Sequence, residues 1–441
     1  MACKKKTNRK GSTISMNRET QALCAFLDSS HSVYHAAANI MNTFDQAGYT
    51  RLSEGEGWSL VPGGKYYTTR GGSSVIAFRV PQEAPQGFLI AASHTDRPTF
   101  KLKFRPELTD TYTRVITEKY GGPILYSWLD RPLSVAGRVL VETEKGAEIR
   151  LIDIDRDLLL IPSVAIHMNR QLNDGYKWDL TRDLTPLFGS REDAGKLTAL
   201  LDQAAGGKIL SHDLYLYIRQ KACVWGVDEK YLSSPALDDL ECLFGCMQGF
   251  LHAGTSRSIP VFCALDSEEV GSSSTQGAGS TFLEDTLARI AESVGSDYRQ
   301  LLSQSFLVSA DNAHAVHPNH PELADPGNAP VMGEGVVLKF NTSLRYCTDA
   351  LGAAIFRTVC HKAEVPVQSY YNRADIPGGS TLGHISIAHV SVPTADIGLP
   401  QLAMHSSYET AQVQDALYLE NAMTAFFGST LVVSGSGFII E

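Results

Sequence analysis

Five short segments scattered along the chain each carry a side chain suited to binding a metal ion. They are Ser93-His94-Thr95-Asp96, Leu237-Asp238-Asp239, Asp266-Ser267-Glu268-Glu269-Val270-Gly271, Ser309-Ala310-Asp311-Asn312 and Ala403-Met404-His405-Ser406. A pair of ions about 3.5–4 Å apart needs one bridging carboxylate and terminal ligands on each ion. Asp238, just ahead of an apolar helical stretch over 240–250, suits the bridge. His94 and Asp311 then complete one ion, and Glu269 with His405 the other. Imidazole and carboxylate without thiolate favour zinc, two ions per subunit, with cobalt or manganese acceptable in the weaker site. Neighbouring glutamates cannot easily serve one ion from the same direction. Glu269 is therefore read as a ligand and Glu268 as the general base, taking a proton from a metal-activated bridging water and passing it to the leaving amine. Asp96, two residues beyond His94, is expected to hydrogen-bond that imidazole and fix its tautomer.

Each residue also has a plainer reading. A lone histidine is usually a surface or satisfied core residue, and an isolated Glu-Glu is usually a solvated helix start. Those readings lose ground because the five segments fill complementary roles. His314, His317 and His320 lie in a stretch rich in Pro and Asn and read as loop residues, not ligands.

The elements that must position these groups are visible in the hydrophobic pattern. Apolar runs at 87–93, 261–265 and 306–310 read as strands buried on both faces, and each ends at one of the candidate groups. In open α/β sheets, ligands gather at the carboxyl ends of such strands, which points to one shared rim. Residues 20–47 have helical spacing, broken near Asp28-Ser29-Ser30. Residues 98–232 instead alternate Val, Ile, Leu and Tyr with charge, a half-buried β texture. His94 precedes this region and Asp238 follows it. The fold expected is an α/β/α zinc-peptidase-like catalytic domain with a mixed sheet, made from 16–97 and 233–441. A β-rich domain at 98–232 interrupts it, and residues 1–15 form a basic tail with Met16 as an alternative start.

The chain has 441 residues and a formal net charge of −10, a balance that argues against nucleic acid or an anionic membrane as partner. No apolar run approaches the roughly 20 residues of a membrane helix. Its eight cysteines contain no Cys-x-x-Cys pair and read as reduced core residues, so a cytoplasmic location is expected.

At these segments the chain resembles the aspartyl aminopeptidase family of metallopeptidases, M18. The likeness extends to Trp128-Leu129-Asp130-Arg131-Pro132-Leu133-Ser134-Val135-Ala136-Gly137-Arg138-Val139, and runs from about residue 20 to the C-terminus. The resemblance implies His94, Asp238, Glu269, Asp311 and His405 as zinc ligands and Glu268 as catalytic base. It also implies a tetrahedral homo-dodecamer, with the inserted domain mediating contacts and His167 reaching a neighbouring subunit's site. The implied substrates are peptides with an N-terminal Asp or Glu. Lys339 resembles the family's lysine for the substrate carboxylate, and Arg345 is a second candidate. Gly378-Gly379-Ser380-Thr381 looks like a loop that exposes its backbone to the peptide main chain. Departures at Ser267, His384 and Ser407-Tyr408-Glu409 touch the substrate pocket and spare the ligands. The rivals are a broader aminopeptidase or an amide deacylase on the same core, and a catalytically silent assembly protein. The complete ligand set with Glu268 argues against the last.

Overall fold

The computed structural model describes residues 17–441. The basic tail and Met16 lie outside the described residues. A nine-stranded mixed sheet forms the centre, in the order Thr50–Arg51, Lys65–Arg70, Ser74–Arg79, Ile259–Leu265, Phe88–His94, Phe306–Ala310, Thr394–Gly398, Val336–Phe340 and Val367–Tyr371. The three apolar runs singled out in the sequence are adjacent, with Phe88–His94 paired in parallel to both Ile259–Leu265 and Phe306–Ala310. Their carboxyl ends therefore meet on one rim.

Burial on both faces explains the unbroken apolar runs. Successive strand residues point to opposite faces. Leu89 and Ala91 pack into one hydrophobic cluster with helices Arg18–Ser29, Val33–Gln46, Leu237–His252 and Val413–Phe427. Phe88, Ile90 and Ala92 pack into another with Phe282–Ser293. The result is the three-layer α/β/α arrangement expected. The first two helices are separated by Ser30, His31 and Ser32 and capped by Asn17 and Ser32, whose side chains accept backbone N–H groups of the first turn. That is the physical content of the break read near Asp28-Ser29-Ser30.

A second sheet, wholly antiparallel, occupies the stretch between His94 and Asp238. Its order is Gly146–Asp153, Leu133–Thr143, Ile209–Ile218, Thr99–Thr109, Tyr112–Tyr120 and Leu187–Ser190. It has its own core, built on Phe100, Val135, Val139, Leu214 and Leu216 against Leu197 and Leu201. A Cβ on Gly137 would sit 2.1 Å from the Asp213 carbonyl oxygen, so only glycine lets these strands approach. The sheet ends at Ile218. Residues 223–234 belong instead to a three-stranded ribbon in which Tyr231–Ser234 pairs with Glu409–Gln412. Among the described residues no helix is long and apolar enough to cross a membrane.

Candidate metal centre

The rim of the central sheet brings the five segments together. His94 is the last residue of its strand and is almost wholly buried. Its Nε2 lies 3.4 Å from Asp238 Oδ1 and 3.9 Å from Asp311 Oδ1. The second oxygen of Asp238 faces the other way, 3.5 Å from His405 Nε2, which is also 3.5 Å from Glu269 Oε2. Two groups that could each hold an ion thus share Asp238: His94, Asp238 and Asp311, and Asp238, Glu269 and His405. A third grouping, His94 with Glu268 and Glu269, overlaps both. Glu269 already belongs with His405, which leaves Glu268 the less committed of the two glutamates.

The imidazole tautomers are set from behind. His94 Nδ1–H donates to the Asp96 backbone carbonyl at 3.1 Å, and His405 Nδ1–H donates to the Gly122 carbonyl at 3.1 Å. Both rings then present an Nε2 lone pair to the centre. The Asp96 carboxylate, expected on the His94 ring, lies 3.4 Å from Nδ1, and its hydrogen bonds go elsewhere. It accepts the backbone N–H groups of Glu268 and Glu269 at 3.0 and 3.1 Å and the Tyr120 hydroxyl at 2.7 Å. Asp96 therefore fixes the turn that carries the glutamate pair.

Two further carboxylates complete the support. Asp239 accepts the His94 backbone N–H at 3.0 Å. Glu409 accepts the His405 N–H at 2.7 Å through Oε1 and the Asp238 N–H at 3.0 Å through Oε2, tying together two candidate ligands 167 positions apart. Neither role is visible in the sequence, because neither residue stands at a motif spacing. Non-glycine residues with positive φ cluster here as well: Ala236, Ser267, Ala403 and His405. Such conformations cost of order 1–3 kcal/mol each and persist where the surroundings over-determine them.

The centre is built for cations. Asp238 Oδ1 and Glu269 Oε1 are buried and accept no hydrogen bond from any described residue. Such orphaned acceptors are costly unless something positive meets them. Burial pushes the Glu269 carboxyl well above the ordinary range, with the Asp238 charge adding to the rise. Burial also pushes Glu268 up to about 8, with Asp311 and Asp96 reinforcing it against the pull of His94. Asp238 goes the other way: burial opposes its charge, but the neighbouring His405 and His94 imidazoles hold it well below the usual range. Imidazole nitrogens and hard carboxylate oxygens, with no thiolate among them, match zinc.

The centre opens into a cleft of about 950 Å³, including its mouth, whose lining includes Glu268, Asp311, Lys339, Tyr346 and Gly379. Lys339 is 2% exposed. Its ammonium donates to the backbone carbonyls of Asp311 and Asn312 at 2.7 and 3.2 Å and lies 3.5 Å from Asp311 Oδ2 and 5.2 Å from the Tyr346 ring centroid. It thus braces a candidate ligand while facing the cleft. Gly379 lines the cleft; Gly378 stands behind it, where a Cβ would meet Asn372 Oδ1 at 2.4 Å. The structure does not bring the other two candidates in. Arg345 is exposed on a turn outside the cleft lining, and His167 is exposed in a loop of the inserted region.

A mixed α/β/α sheet with imidazole–carboxylate groups at the carboxyl ends of its central strands defines the zinc-peptidase class. Within that class the chain belongs to the aminopeptidase I zinc metalloprotease family, M18, whose family model matches residues 26–427. It is 39% identical over 421 residues to a probable M18 family aminopeptidase 2 of Clostridium acetobutylicum, covering 92% of this chain and 97% of the relative. A similarly named protein of Pseudomonas savastanoi is 38% identical over 419 residues, covering 92% and 97%. Among solved structures, Ape4 in a cryo-EM complex with Nbr1 superposes with a TM-score of 0.90 at 34% identity, over 93% of this chain and 85% of that one. The mApe1 dodecamer of Saccharomyces cerevisiae gives 0.82 at 25% identity, over 93% and 96%.

Proposed function

We propose that this M18 metallo-aminopeptidase holds two zinc ions and removes aspartate or glutamate from peptide N-termini. The observation that carries the reading is the pair of ligand groups sharing Asp238, with Glu268 beside them. His94 and Asp311 would hold one ion, Glu269 and His405 the other, with Asp238 between them. Bound zinc supplies Lewis acidity, polarising the scissile carbonyl and lowering the pKa of water from 15.7 to about 7. Glu268 takes the proton of the attacking water and delivers it to the nitrogen of the leaving amine. Asp96 keeps Glu268 aimed by holding its backbone N–H. Lys339 supplies the positive charge for an acidic side chain; no other Lys or Arg is among the residues lining the cleft. Gly379 offers its backbone to the substrate main chain, with Gly378 letting the loop pass Asn372.

The inserted sheet, which lies within residues 98–232 and ends at Ile218, is proposed as an assembly unit with a dodecamer as the product. Its exposed Phe104, Leu108, Tyr112, Ile149 and Leu151 are the kind of apolar surface that a partner covers. The solved mApe1 dodecamer supports that reading. In such an assembly the exposed His167 would serve a neighbour's cleft. Anomalous scattering at the zinc edge tests the ion count. A panel of peptides starting with Asp, Glu, Leu and acetylated residues tests the specificity. Two ions with selective loss of Asp and Glu is the expected pattern; equal rates on Leu would favour a broader aminopeptidase, and cleavage only of acetylated substrates an amide deacylase.

A further inference from the structure

The end of helix Arg18–Ser29, the chain at Arg97 and the segment Tyr217–Lys221 enclose a crevice of about 540 Å³ with its mouth. It shares no lining residue with the cleft of the metal centre. It lies where the chain crosses between the two sheets. Arg97 stands three residues after His94, on the way out, and Pro235 three residues before Asp238, on the way back. A neighbouring crevice shares His31 and Arg97 with it and reaches Asp96.

The charges lining this crevice do not cancel. Arg97, Arg219 and Lys221 stand with Asp28 and Asp155, three cations with two carboxylates, on a chain of net charge −10. Arg219 is already engaged, pairing with Asp155 and lying 3.2 Å from Asp157. Asp28 accepts the Ala222 backbone N–H at 2.7 Å through Oδ1. His31 is held by Asp153 at 2.5 Å and stacks on Tyr217 at 4.0 Å, so it serves as wall. Lys221 is exposed and pairs with no carboxylate among the described residues. Arg97 decides the matter. Its Nη2 donates to the Ser30 carbonyl, and it makes no other hydrogen bond and no ion pair among the described residues. Glu409 and Asp96 attract it only from farther away. Burial pulls its pKa down to about 10, as befits a cation short of a counter-charge. Its remaining N–H groups are nonetheless not sealed in protein.

A withdrawn guanidinium without a carboxylate is unfavourable, and its planar fork matches the paired oxygens of an oxyanion. We propose that this crevice is an oxyanion site, taking a small dianion between the Arg97 fork and the Lys221 ammonium. Two unpaired cations match two negative charges, and the Asp28 carboxylate disfavours a longer polyanion. An anion held there ties the segment leaving His94 to the segment that returns the chain toward Asp238. It steadies the junction of the two sheets and takes no part in bond cleavage. The inference is independent of the substrate proposed for the metal centre.

The test soaks crystals of the zinc-loaded full chain in selenate and locates the ion by anomalous scattering at the selenium edge. A peak between Arg97 and Lys221 is expected; selenate at the metal centre only, or nowhere, overturns the inference. Calorimetric titration with sulfate and, in parallel, with succinate then separates an inorganic oxyanion from an organic dicarboxylate, the tighter binder naming the source. Arg97→Gln and Lys221→Ala are each expected to weaken that binding by about tenfold, the usual effect of one lost hydrogen bond to a charged group. Lys221 is at the surface, so its variant keeps the test decisive if loss of Arg97 disturbs folding. Affinity within twofold of the parent in every folded variant, or no saturable binding of either anion by the parent, overturns the site.

Discussion

Replacing Glu409 by glutamine is the sharpest probe of how the centre is held. The carboxylate is 1% exposed and accepts one backbone N–H from each of two candidate ligands, at 2.7 Å from His405 and 3.0 Å from Asp238. Glutamine has the same shape but only one acceptor. Whichever way its amide turns, one buried N–H faces another N–H. Leaving a buried donor unsatisfied costs about 1–3 kcal/mol. Because Asp238 stands in both ligand groups, that cost falls on ion binding. Zinc affinity is expected to drop by roughly 10–100-fold, the usual range for partners one shell behind a ligand. The assay is competition with a chromogenic chelator on Glu409→Gln, with far-ultraviolet circular dichroism confirming the fold and kcat measured at saturating zinc. Activity should return largely as zinc is raised. Affinity within twofold of the parent, in a folded variant, would refute the idea that Glu409 organises the site.

Three further outcomes follow from the same geometry. Glu268→Gln should keep its zinc content, read by atomic emission, yet lose about 10²–10⁴ in kcat, since it removes proton transfer only; normal turnover would exclude Glu268 as base. Lys339→Met should lower the unfolding free energy by about 3–5 kcal/mol, because it strips the buried Asp311 of its cation. Urea melts read that loss, and a shift under 1 kcal/mol would mean that Lys339 does not brace Asp311. Burial lowers the pKa of His35 from 6.5 to about 4, with Asp153 opposing and His31 and Arg97 assisting. The unfolded chain then binds more protons across that window, so His35 contributes stability above pH 6.5 that fades as pH falls toward 4. His35→Asn should flatten this acid limb of the urea-melt profile; an unchanged slope would count against it.

What the sequence made legible follows from strong local signals. Strands such as Phe88–His94 are apolar throughout because helices cover both faces, and a candidate ligand after each run marks the rim. The helix pair near the N-terminus was equally readable from its spacing and from the break near Asp28-Ser29-Ser30, though its caps, Asn17 and Ser32, were not. The supporting carboxylates were not. Glu409 sits in a short strand whose partner, Tyr231–Ser234, is far away in sequence, so no spacing rule links it to Asp238. Tyr120 reaches Asp96 only because two strands of the second sheet turn back toward the first. Lys339 was legible as a charge within an apolar strand, but its bond to the Asp311 carbonyl needed the fold. Arg345 had the right charge in a neighbouring segment, yet it is exposed on a bend outside the cleft lining.

The contacts around Gly122 bear on any attempt to trim this enzyme. Gly122 accepts the His405 ring N–H, the Ile124 backbone N–H donates to the His405 carbonyl at 2.8 Å, and the Ser127 hydroxyl accepts the Ser407 N–H at 2.9 Å. Tyr120 meanwhile anchors the other end of the centre through Asp96. Truncation to a minimal fragment, with a short linker in place of the second sheet, would remove all four anchors at once. The excised piece is part of the catalytic machine, and a shortened scaffold would have to rebuild these contacts before it could work.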